Sequence, residues 1–186
     1  MSELFSIQLQ NRQQQGRDGV WLDLPTTTEQ VQAALRQIGI SSDNPQGLFI
    51  SGYFAEEEKR FAIPYNMVLA SNVDELNFLA SRLETLSTGE RAELNAALQA
   101  PQSELFSIGK ITDFPENVEY YVHLPEVRGP AQLGDYYLNR SGMVDMPEEW
   151  KGGIDTAQFG RYVAQQEQGA FTEYGYLVKS GDVWQK

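Results

Sequence analysis

The spacing of hydrophobic residues changes twice along the chain, from a period of two to the helical period and then to a mixture. Residues 4–10 alternate between apolar and polar side chains, which is typical of a half-buried strand. After turn residues at 16–19, residues 20–24 predict a second strand and residues 48–54 a third. A short fourth strand is predicted at residues 60–63. The first section therefore predicts a small antiparallel sheet.

One helix is predicted between the second and third strands. Thr26 and Glu29 have the spacing of a capping box, in which two side chains satisfy backbone N–H groups at the helix start. The apolar residues that follow at i, i+3, i+4 and i+7 are Val31, Ala34, Leu35 and Ile38. This stripe indicates one buried helix face, and Gly39 is expected to end the helix.

Residues 72–114 have the helical period. Asn72 and Glu75 have cap spacing. The stripe that follows consists of Leu76, Leu79, Ala80 and Leu83. A second helix is predicted up to Pro101, and a shorter one within residues 103–111. Short helices with narrow stripes need packing partners, so we expect a small helical bundle here.

The last section mixes both periods. Residues 118–124 predict a strand, and Pro130 suits the first turn of a helix that Gly142 ends. Asp155 is expected to cap the last helix. The inner side of that helix is predicted to carry Phe159, Tyr162 and Val163. A terminal hairpin, formed by residues 171–178 and 183–184, completes the section. The whole pattern predicts an α+β fold in three domains, at residues 1–71, 72–116 and 117–186.

Acidity is spread along the whole chain. The sequence has 26 acids and 14 bases, for a net charge of −12 and a pI near 4.5. The three sections carry net charges of −3, −5 and −4 in chain order. Such a surface repels nucleic acid and anionic membranes and steers the protein toward basic partners. Acidity also keeps an ordinary protein soluble, so charge alone does not decide between these interpretations.

No catalytic or metal signature accompanies this charge. His123 is the only histidine and there is no cysteine, which argues against a zinc site and against a nucleophile–base pair. Asp113, Glu116 and Glu119 have spacing that could suit a hard cation, but they lack the Asp-rich, Gly-centred spacing of a calcium loop, and a solvated turn around Pro115 explains them better. No phosphate-binding glycine motif occurs, so no cofactor is implied. The N-terminus does not read as a secretory signal and no apolar run reaches membrane-spanning length, so we expect a cytoplasmic protein.

The most specific pattern lies between Tyr136 and Phe171. Its ordered members are Tyr137, Gly142, Pro147, Ile154-Asp155, Gly160-Arg161 and Gly169. In order and approximate spacing this pattern resembles the C-terminal part of the ArdA antirestriction proteins. Near the N-terminus, the run from Trp21 to Pro25 followed by a capped helix is similar to the first domain of that family.

The resemblance implies both a form and a function. The family form is an elongated α+β protein that has a small sheet domain, a helical middle and a mixed C-terminal domain, through which it forms a homodimer. Its surface carboxylates imitate the phosphates of bent DNA, and it occupies the DNA site of type I restriction-modification enzymes. This chain departs from the usual acidic pattern at Ser51-Gly52, Phe54 and Tyr162, so the resemblance implies weaker inhibition.

The working residues are therefore predicted to be acids on the surface. The predicted partner-binding residues are Glu56, Glu57, Glu58, Asp74, Glu75, Glu84, Glu90, Glu93, Asp113, Glu116, Asp135, Glu148, Glu149 and Asp155. Asp155 has a rival role as a helix cap, and the simpler interpretation of the run from Glu56 to Arg60 is a solvated hairpin tip. Two other functions stay open: a non-catalytic module of a mobile element that binds another protein, and a hydrolase that uses a carboxylate site.

Overall fold

The chain folds into two compact units, each containing a small antiparallel sheet and helices. The computed structural model describes residues 3–14, 18–41 and 45–185, without the side chain of Glu58. Unit 1 comprises residues 1–87 and 105–115, and unit 2 comprises residues 88–104 and 116–186. The α+β class predicted from the sequence is confirmed. The three domains predicted at residues 1–71, 72–116 and 117–186 stay a prediction. Their boundaries differ from those of the two compact units.

The described residues contain the following strands and helices. The strands are β1 (Phe5–Asn11), β2 (Val20–Leu24), β3 (Leu48–Phe54), β4 (Tyr121–Leu124), β5 (Ala170–Thr172) and β6 (Gly175–Lys179). The α-helices are α1 (Thr28–Gln37), α2 (Tyr65–Leu69), α3 (Val73–Leu83), α4 (Thr88–Gln99), α5 (Ile108–Thr112), α6 (Pro130–Asp135), α7 (Glu148–Lys151) and α8 (Thr156–Gln166). None of these helices is long and apolar enough to cross a membrane.

The sheet of unit 1 confirms the first three predicted strands. Its order is β2-β1-β3, with both pairs antiparallel and a bulge in β1 between Gln8 and Leu9. The buried face of β1 carries Phe5, Ile7 and Leu9, whereas the alternate polar residues point outward. The period of two in the sequence therefore reflects one buried face and one exposed face. The predicted turn at residues 16–19 lies partly outside the described residues.

Helix α1 begins one residue later than its predicted capping box. The cap is Thr27, whose side chain accepts the Gln30 N–H, while the Gln30 side chain accepts the Thr27 N–H. The predicted pair Thr26 and Glu29 was wrong because glutamine can serve at the third position as well as glutamate. The predicted stop is confirmed: Gly39 follows the helix with φ +69°, a conformation that favours glycine.

The predicted fourth strand at residues 60–63 is wrong. After β3 the chain makes a short 3₁₀ turn, Glu57–Lys59, and then runs without strand pairing to α2. Phe61 and Ile63 are nevertheless buried, so their alternation reflects burial without a sheet partner. The acidic run that starts at Glu56 thus joins a strand to a helix and is not a hairpin tip.

The helices predicted at residues 72–114 belong to both units. In unit 1, Asn72 caps α3 by accepting the Glu75 N–H, as predicted, and the stripe from Leu76 to Leu83 is fully buried. Helix α3 packs on α5, which starts at its cap Ser107, later than predicted. Helix α4 lies in unit 2, where it contacts β4 and β6.

The second sheet has the order β4-β6-β5 and is fully antiparallel. The predicted strand at residues 118–124 is confirmed only from Tyr121 onward, since a 3₁₀ turn precedes it. The predicted terminal hairpin is wrong in its pairing: β5 and β6 turn at Glu173-Tyr174, and residues 183–184 form no strand. Trp184 instead packs edge-on against the ring of Tyr120, 5.1 Å away.

Helices α6 and α8 make the closest helix pair of unit 2. Gly134 and Gly160 are buried at their contact, and a Cβ atom at Gly160 would overlap the carbonyl oxygen of Pro130. Pro130 opens α6, as predicted, and a π-helical turn follows α6. The predicted inner position of Tyr162 is wrong: this side chain is exposed, because Gly160 and Ala164 form the inner face of α8.

Candidate functional site

Unit 1 presents acids at turns and at the starts of helices. Glu56 and Glu57 are exposed at the 3₁₀ turn after β3, and the Lys59 Nζ lies 3.0 Å from the Glu56 carboxylate. Asp74 and Glu75 are exposed in the first turn of α3. Carboxylates near a helix N-terminus are stabilised by the helix dipole, so these two residues also strengthen the helix.

The other predicted acids of unit 1 lie at helix ends. Glu84 follows the last residue of α3 and Asp113 follows the last residue of α5, and both are half-buried. Both residues also take part in interactions within the protein. They are therefore less available to a partner than Asp74 and Glu75. The side chain of Glu58 lies outside the described part of the structure.

Two predicted acids of unit 2 lie one turn apart on α4. Glu90 and Glu93 are both half-buried. Burial, and to a smaller extent the negative charge of Glu90, raises the pKa of Glu93 to about 7. One carboxyl oxygen of Glu93 is buried without a hydrogen-bond partner in the described residues. A carboxyl group that is half protonated at neutral pH is a poor equivalent of a phosphate.

The remaining predicted acids of unit 2 are mostly engaged in local contacts. The Arg140 Nη2 lies 2.6 Å from Asp135, and this hydrogen bond holds the pKa of Asp135 below its usual value. The Lys151 Nζ lies 2.6 Å from Glu148, while Glu149 is exposed. These ion pairs cancel part of the local negative field.

Asp155 performs its rival role as a helix cap. Its carboxylate accepts the Gln158 N–H at 2.9 Å, at the start of α8. The side chain is nevertheless exposed, so capping leaves one face of the carboxylate toward solvent. The structure thus gives this residue a local task without withdrawing it from the surface.

A shallow groove of about 220 Å³ in unit 2 brings together acids that the sequence separates. Glu116 and Glu119 line it together with Asp182. The first two were predicted as a candidate cation site with Asp113, but Asp113 belongs to unit 1. Among the described residues, no group of carboxylate or histidine side chains has the arrangement to hold a metal ion.

His123 has a structural contact. Its Nε2 lies 2.9 Å from the backbone oxygen of Tyr174, in the turn between β5 and β6. This contact ties β4 to the neighbouring hairpin, and it accounts for the histidine without a catalytic role.

Sequence reasoning missed a carboxylate that organises the interior of unit 2. Glu167 accepts hydrogen bonds from the hydroxyl groups of Tyr137, at 2.8 Å, and Tyr176, at 2.5 Å. Burial, together with these hydrogen bonds, raises the pKa of both tyrosines above the ordinary value. The three residues are 9 to 39 positions apart in sequence, so no local pattern indicates that they meet.

Further exposed acids were not among the predicted set. The exposed acids that were missed are Glu3, Asp18, Asp23, Glu29, Glu126, Asp145, Glu173 and Asp182, while Glu119 was named only as a candidate cation ligand. A usable signal existed for Asp23, which lies at an outward position of a strand with period two. Glu104 was also missed: it forms an ion pair with Lys179, whose Nζ lies 2.7 Å away.

The two units together define a small acidic α+β protein whose distinctive surface feature is its carboxylates. Residues 15–178 of the 186-residue chain match the sequence model of the antirestriction protein family ArdA. The chain therefore belongs to the ArdA family of antirestriction proteins. A search of curated protein sequences finds no match.

Family membership indicates the general kind of function, which is antirestriction. Members of this non-catalytic family are antirestriction proteins, which interact with restriction-modification enzymes and act against them. The match spans β2 through most of β6 and includes the whole pattern from Tyr136 to Phe171. The resemblance drawn from that pattern is confirmed as a family assignment.

Proposed function

We propose that this protein inhibits type I restriction-modification enzymes by occupying their DNA site as a mimic of DNA, without catalysis and without a cofactor. The observation that carries the proposal is the set of exposed carboxylates on both units of a chain that belongs to an antirestriction family. Glu57, Asp74 and Glu75 represent this set in unit 1, and Glu149 represents it in unit 2.

The physical basis is the replacement of phosphates by carboxylates. Duplex DNA carries about one negative charge per 1.7 Å of axis, and a DNA-binding cleft is lined with basic groups that pair with this charge. A folded surface of carboxylates is attracted to the same groups at long range, which raises the association rate. Because protein and duplex would occupy one cleft, they cannot bind together. The proposal includes action in the cytoplasm and a homodimer formed through the C-terminal domain, as the family resemblance implies.

The inhibition is expected to be weaker than that of strongly acidic relatives. Ser51-Gly52 and Phe54 stand where the family pattern has acids, and Glu93 is only partly ionised at neutral pH. Asp135 and Glu148 are paired with basic side chains of the same unit. Fewer available carboxylates mean fewer phosphate equivalents and a capture that salt weakens readily.

The test is competition with DNA. A type I modification complex is bound to labelled duplex and titrated with this protein at salt concentrations of about 50 and 200 mM. We expect displacement of the duplex with no added nucleotide or metal for the inhibitor, and lower potency at the higher salt. The salt dependence should be shallower than that of DNA, because a folded protein lacks the dense counterion layer of a duplex.

A matched variant sharpens the test. Replacing Glu56, Glu57 and Glu58 together by Gln removes three charges from one turn and should reduce displacement mainly through the association rate at low salt. If the duplex stays bound across the whole titration at low salt, the proposal fails for that enzyme. Equal potency of the variant and the parent would remove this turn from the interface.

A second candidate function is a module that binds another protein through apolar contacts. The observation in its favour is that unit 2 pairs several of its acids internally while Trp150 and Tyr162 are 66% and 60% exposed. Binding of this kind should persist at high salt and should weaken when Trp150 is replaced by Ala. The DNA competition separates the two functions, because such a module leaves the duplex in place.

A further inference from the structure

A groove lies within unit 1, beside β2. Its volume is about 730 Å³, within the range of binding pockets in proteins. One wall is formed by the consecutive residues 20–23 of β2. The opposite wall is one face of α1, which carries Gln30, Ala33 and Gln37. A groove lined by consecutive strand residues follows the edge of the strand, since consecutive side chains point to opposite faces.

That edge of β2 has no partner in the described residues. The sheet order places β2 at one end, paired with β1 alone. An edge strand presents N–H and C=O groups that can pair with another strand. Five residues of strand measure about 17 Å, and the ten residues of α1 measure about 15 Å, so the groove matches an added strand of about five residues.

The side chains around the groove specify the chemistry of that strand. Toward α1 they are small, as at Ala33 and Ala34, which leaves room for apolar side chains. Among the described residues, the charged side chains that line the groove are Glu3 and Asp23, and no base lines it. Trp21 is 50% exposed on the same face of the sheet as Asp23, but the tip of its ring lies beside Gly52 of β3, so Glu3 and Asp23 provide the charge complementarity.

We propose that unit 1 binds an extended basic peptide of a partner protein, which adds to the free edge of β2 as a fourth strand. Alternate apolar side chains of the peptide point into the groove toward α1. The intervening Lys or Arg side chains lie on the outer face of the sheet, beside Trp21 and Asp23, where opposite charges on neighbouring strands attract. This site is independent of DNA mimicry, because backbone pairing supplies its affinity and side-chain alternation its selectivity.

The test uses a seven-residue probe of alternating Val and Lys with blocked ends. Titration of the ¹⁵N-labelled full chain should shift the amide signals of residues 20–24 and slow their hydrogen exchange. The same peptide with alternate backbone amides methylated cannot pair as a strand and should bind at least about tenfold more weakly. A peptide of alternating Val and Glu should also bind more weakly, because Glu3 and Asp23 repel it.

Two pairs of variants locate the site. Ala33→Trp fills the groove and should weaken probe binding by about tenfold or more, whereas Gln32→Trp, on the exposed side of the same helix, should not. Asp23→Asn should weaken binding by about threefold at low salt, whereas Glu29→Gln, which does not line the groove, should leave it unchanged.

Three results would overturn the proposal. They are equal binding of the methylated peptide, unchanged amide signals at residues 20–24 in saturating probe, and pairing of β2 with a second copy of the chain. Amide signals of residues 20–24 that shift with protein concentration in the absence of probe detect the last of these, and they distinguish it from a dimer formed through the C-terminal domain. The methylated peptide keeps the test decisive even if Ala33→Trp does not fold.

Discussion

The two units carry similar formal charge but use their carboxylates differently. Unit 1 has 12 acids and 7 bases, a net charge of −5, and unit 2 has 14 acids and 7 bases, a net charge of −7. In unit 1, exposed acids such as Glu57 and Asp74 lie at turns and helix starts. In unit 2, Asp135 and Glu148 are ion-paired and Glu167 is held by two tyrosines. These net charges already count the bases in such pairs, and Glu56 of unit 1 is likewise paired with Lys59, so what differs is how many carboxylates are available to a partner.

The difference has a structural cause. In unit 2, helices α6 and α8 pack closely because the two residues at their contact are glycines, which have no side chains. Polar contacts hold the neighbouring hairpin. The core cluster of unit 2 is small and is completed by partly buried aromatic residues. In such a unit, carboxylates that hold tyrosine and lysine side chains in place contribute to the stability of the fold. We therefore expect acid substitutions to affect mainly stability in unit 2 and mainly binding in unit 1.

The largest effect is expected at the glycine contact of unit 2. Gly160→Ala places a methyl group against the backbone of α6, at Pro130 and Gly134, which cannot move aside easily. We expect a loss of about 3 kcal/mol in the free energy of unfolding. Urea denaturation measures it, and hydrogen exchange should show the loss first in β6. Gly152→Ala is the control, since the backbone there has φ −62° and a Cβ meets no described atom within 4 Å. Unchanged stability of Gly160→Ala would contradict the packing of these helices.

The next largest loss of stability is expected when one of the two tyrosines that donate hydrogen bonds to Glu167 is changed. Tyr176→Phe removes one donor from a carboxylate in the interior of unit 2 and should cost about 1–3 kcal/mol in the free energy of unfolding. Tyr65→Phe in unit 1 is the matched control, because that exposed hydroxyl donates a longer bond of 3.3 Å to the Ser51 oxygen. The control should change stability by less than about 0.5 kcal/mol. Equal effects of the two substitutions would mean that Glu167 is not a structural residue.

A pH-dependent effect is expected at Glu93. Its pKa is raised from 4.5 to about 7, so the native state holds a proton that the unfolded chain releases. The stability contributed by this group is fully present below pH 4.5 and is lost as the pH rises through 7. Glu93→Gln stays neutral, so it should match the parent at pH 4 and exceed it at pH 8. After discounting for partial exposure, the excess should be about 1–2 kcal/mol.

Denaturation midpoints of parent and variant, measured from pH 4 to pH 8, check this expectation. Glu149→Gln serves as the control on the surface of the same unit, and its curve should run parallel to that of the parent. Parallel curves for Glu93→Gln as well would show that Glu93 titrates normally in the folded protein.

The local elements were largely predictable from the sequence. The three strands of unit 1, the cap at Asn72 and the buried stripe after it follow from period and capping chemistry, which act over a few residues. The pairing partners of strands were harder to predict from the sequence. Residues 60–63 have strand-like alternation but no strand to pair with, and residues 183–184 lie beyond the hairpin and do not join it. Pairing depends on contacts distant in sequence, which a single chain pattern does not encode.

The sequence indicated that the candidate site consists of exposed acids, but it did not indicate which acids are buried or paired with bases. Counting acids correctly identified exposed residues such as Glu57 and Glu149, because charged side chains are rarely buried. It could not foresee that α4 partly buries Glu93 or that Arg140 reaches Asp135. These neutralising contacts depend on helix rotation and side-chain geometry. The family resemblance supplied what counting could not, since it rests on the order of aromatic and glycine positions.

Matched charge removal in the two units has the smallest expected effect on stability and is the sharpest test of the comparison. The unit 1 variant carries Glu57→Gln, Asp74→Asn and Glu75→Gln, and the unit 2 variant carries Asp135→Asn, Glu148→Gln and Asp155→Asn. Each removes three charges, and asparagine still caps α8 at position 155. We expect the unit 1 variant to lose no more than about 1 kcal/mol, which is the contribution of Asp74 and Glu75 to the start of α3, because its targets are exposed.

The functional consequences should be unequal. The three unit 1 carboxylates are exposed, whereas Asp135 and Glu148 already face cations at 2.6 Å. Removing a paired carboxylate leaves its basic partner uncompensated, so at long range both variants lose the same three negative charges and association at low salt should slow about equally. At close range, however, the unit 1 carboxylates are the more available to pair directly with the bases of a partner. The dissociation rate from a basic DNA-binding partner should therefore rise several-fold more for the unit 1 variant. Stopped-flow association and dissociation at two salt concentrations measure both rates. Equal changes in the dissociation rate would show that formal charge, and not its local pairing, determines recognition.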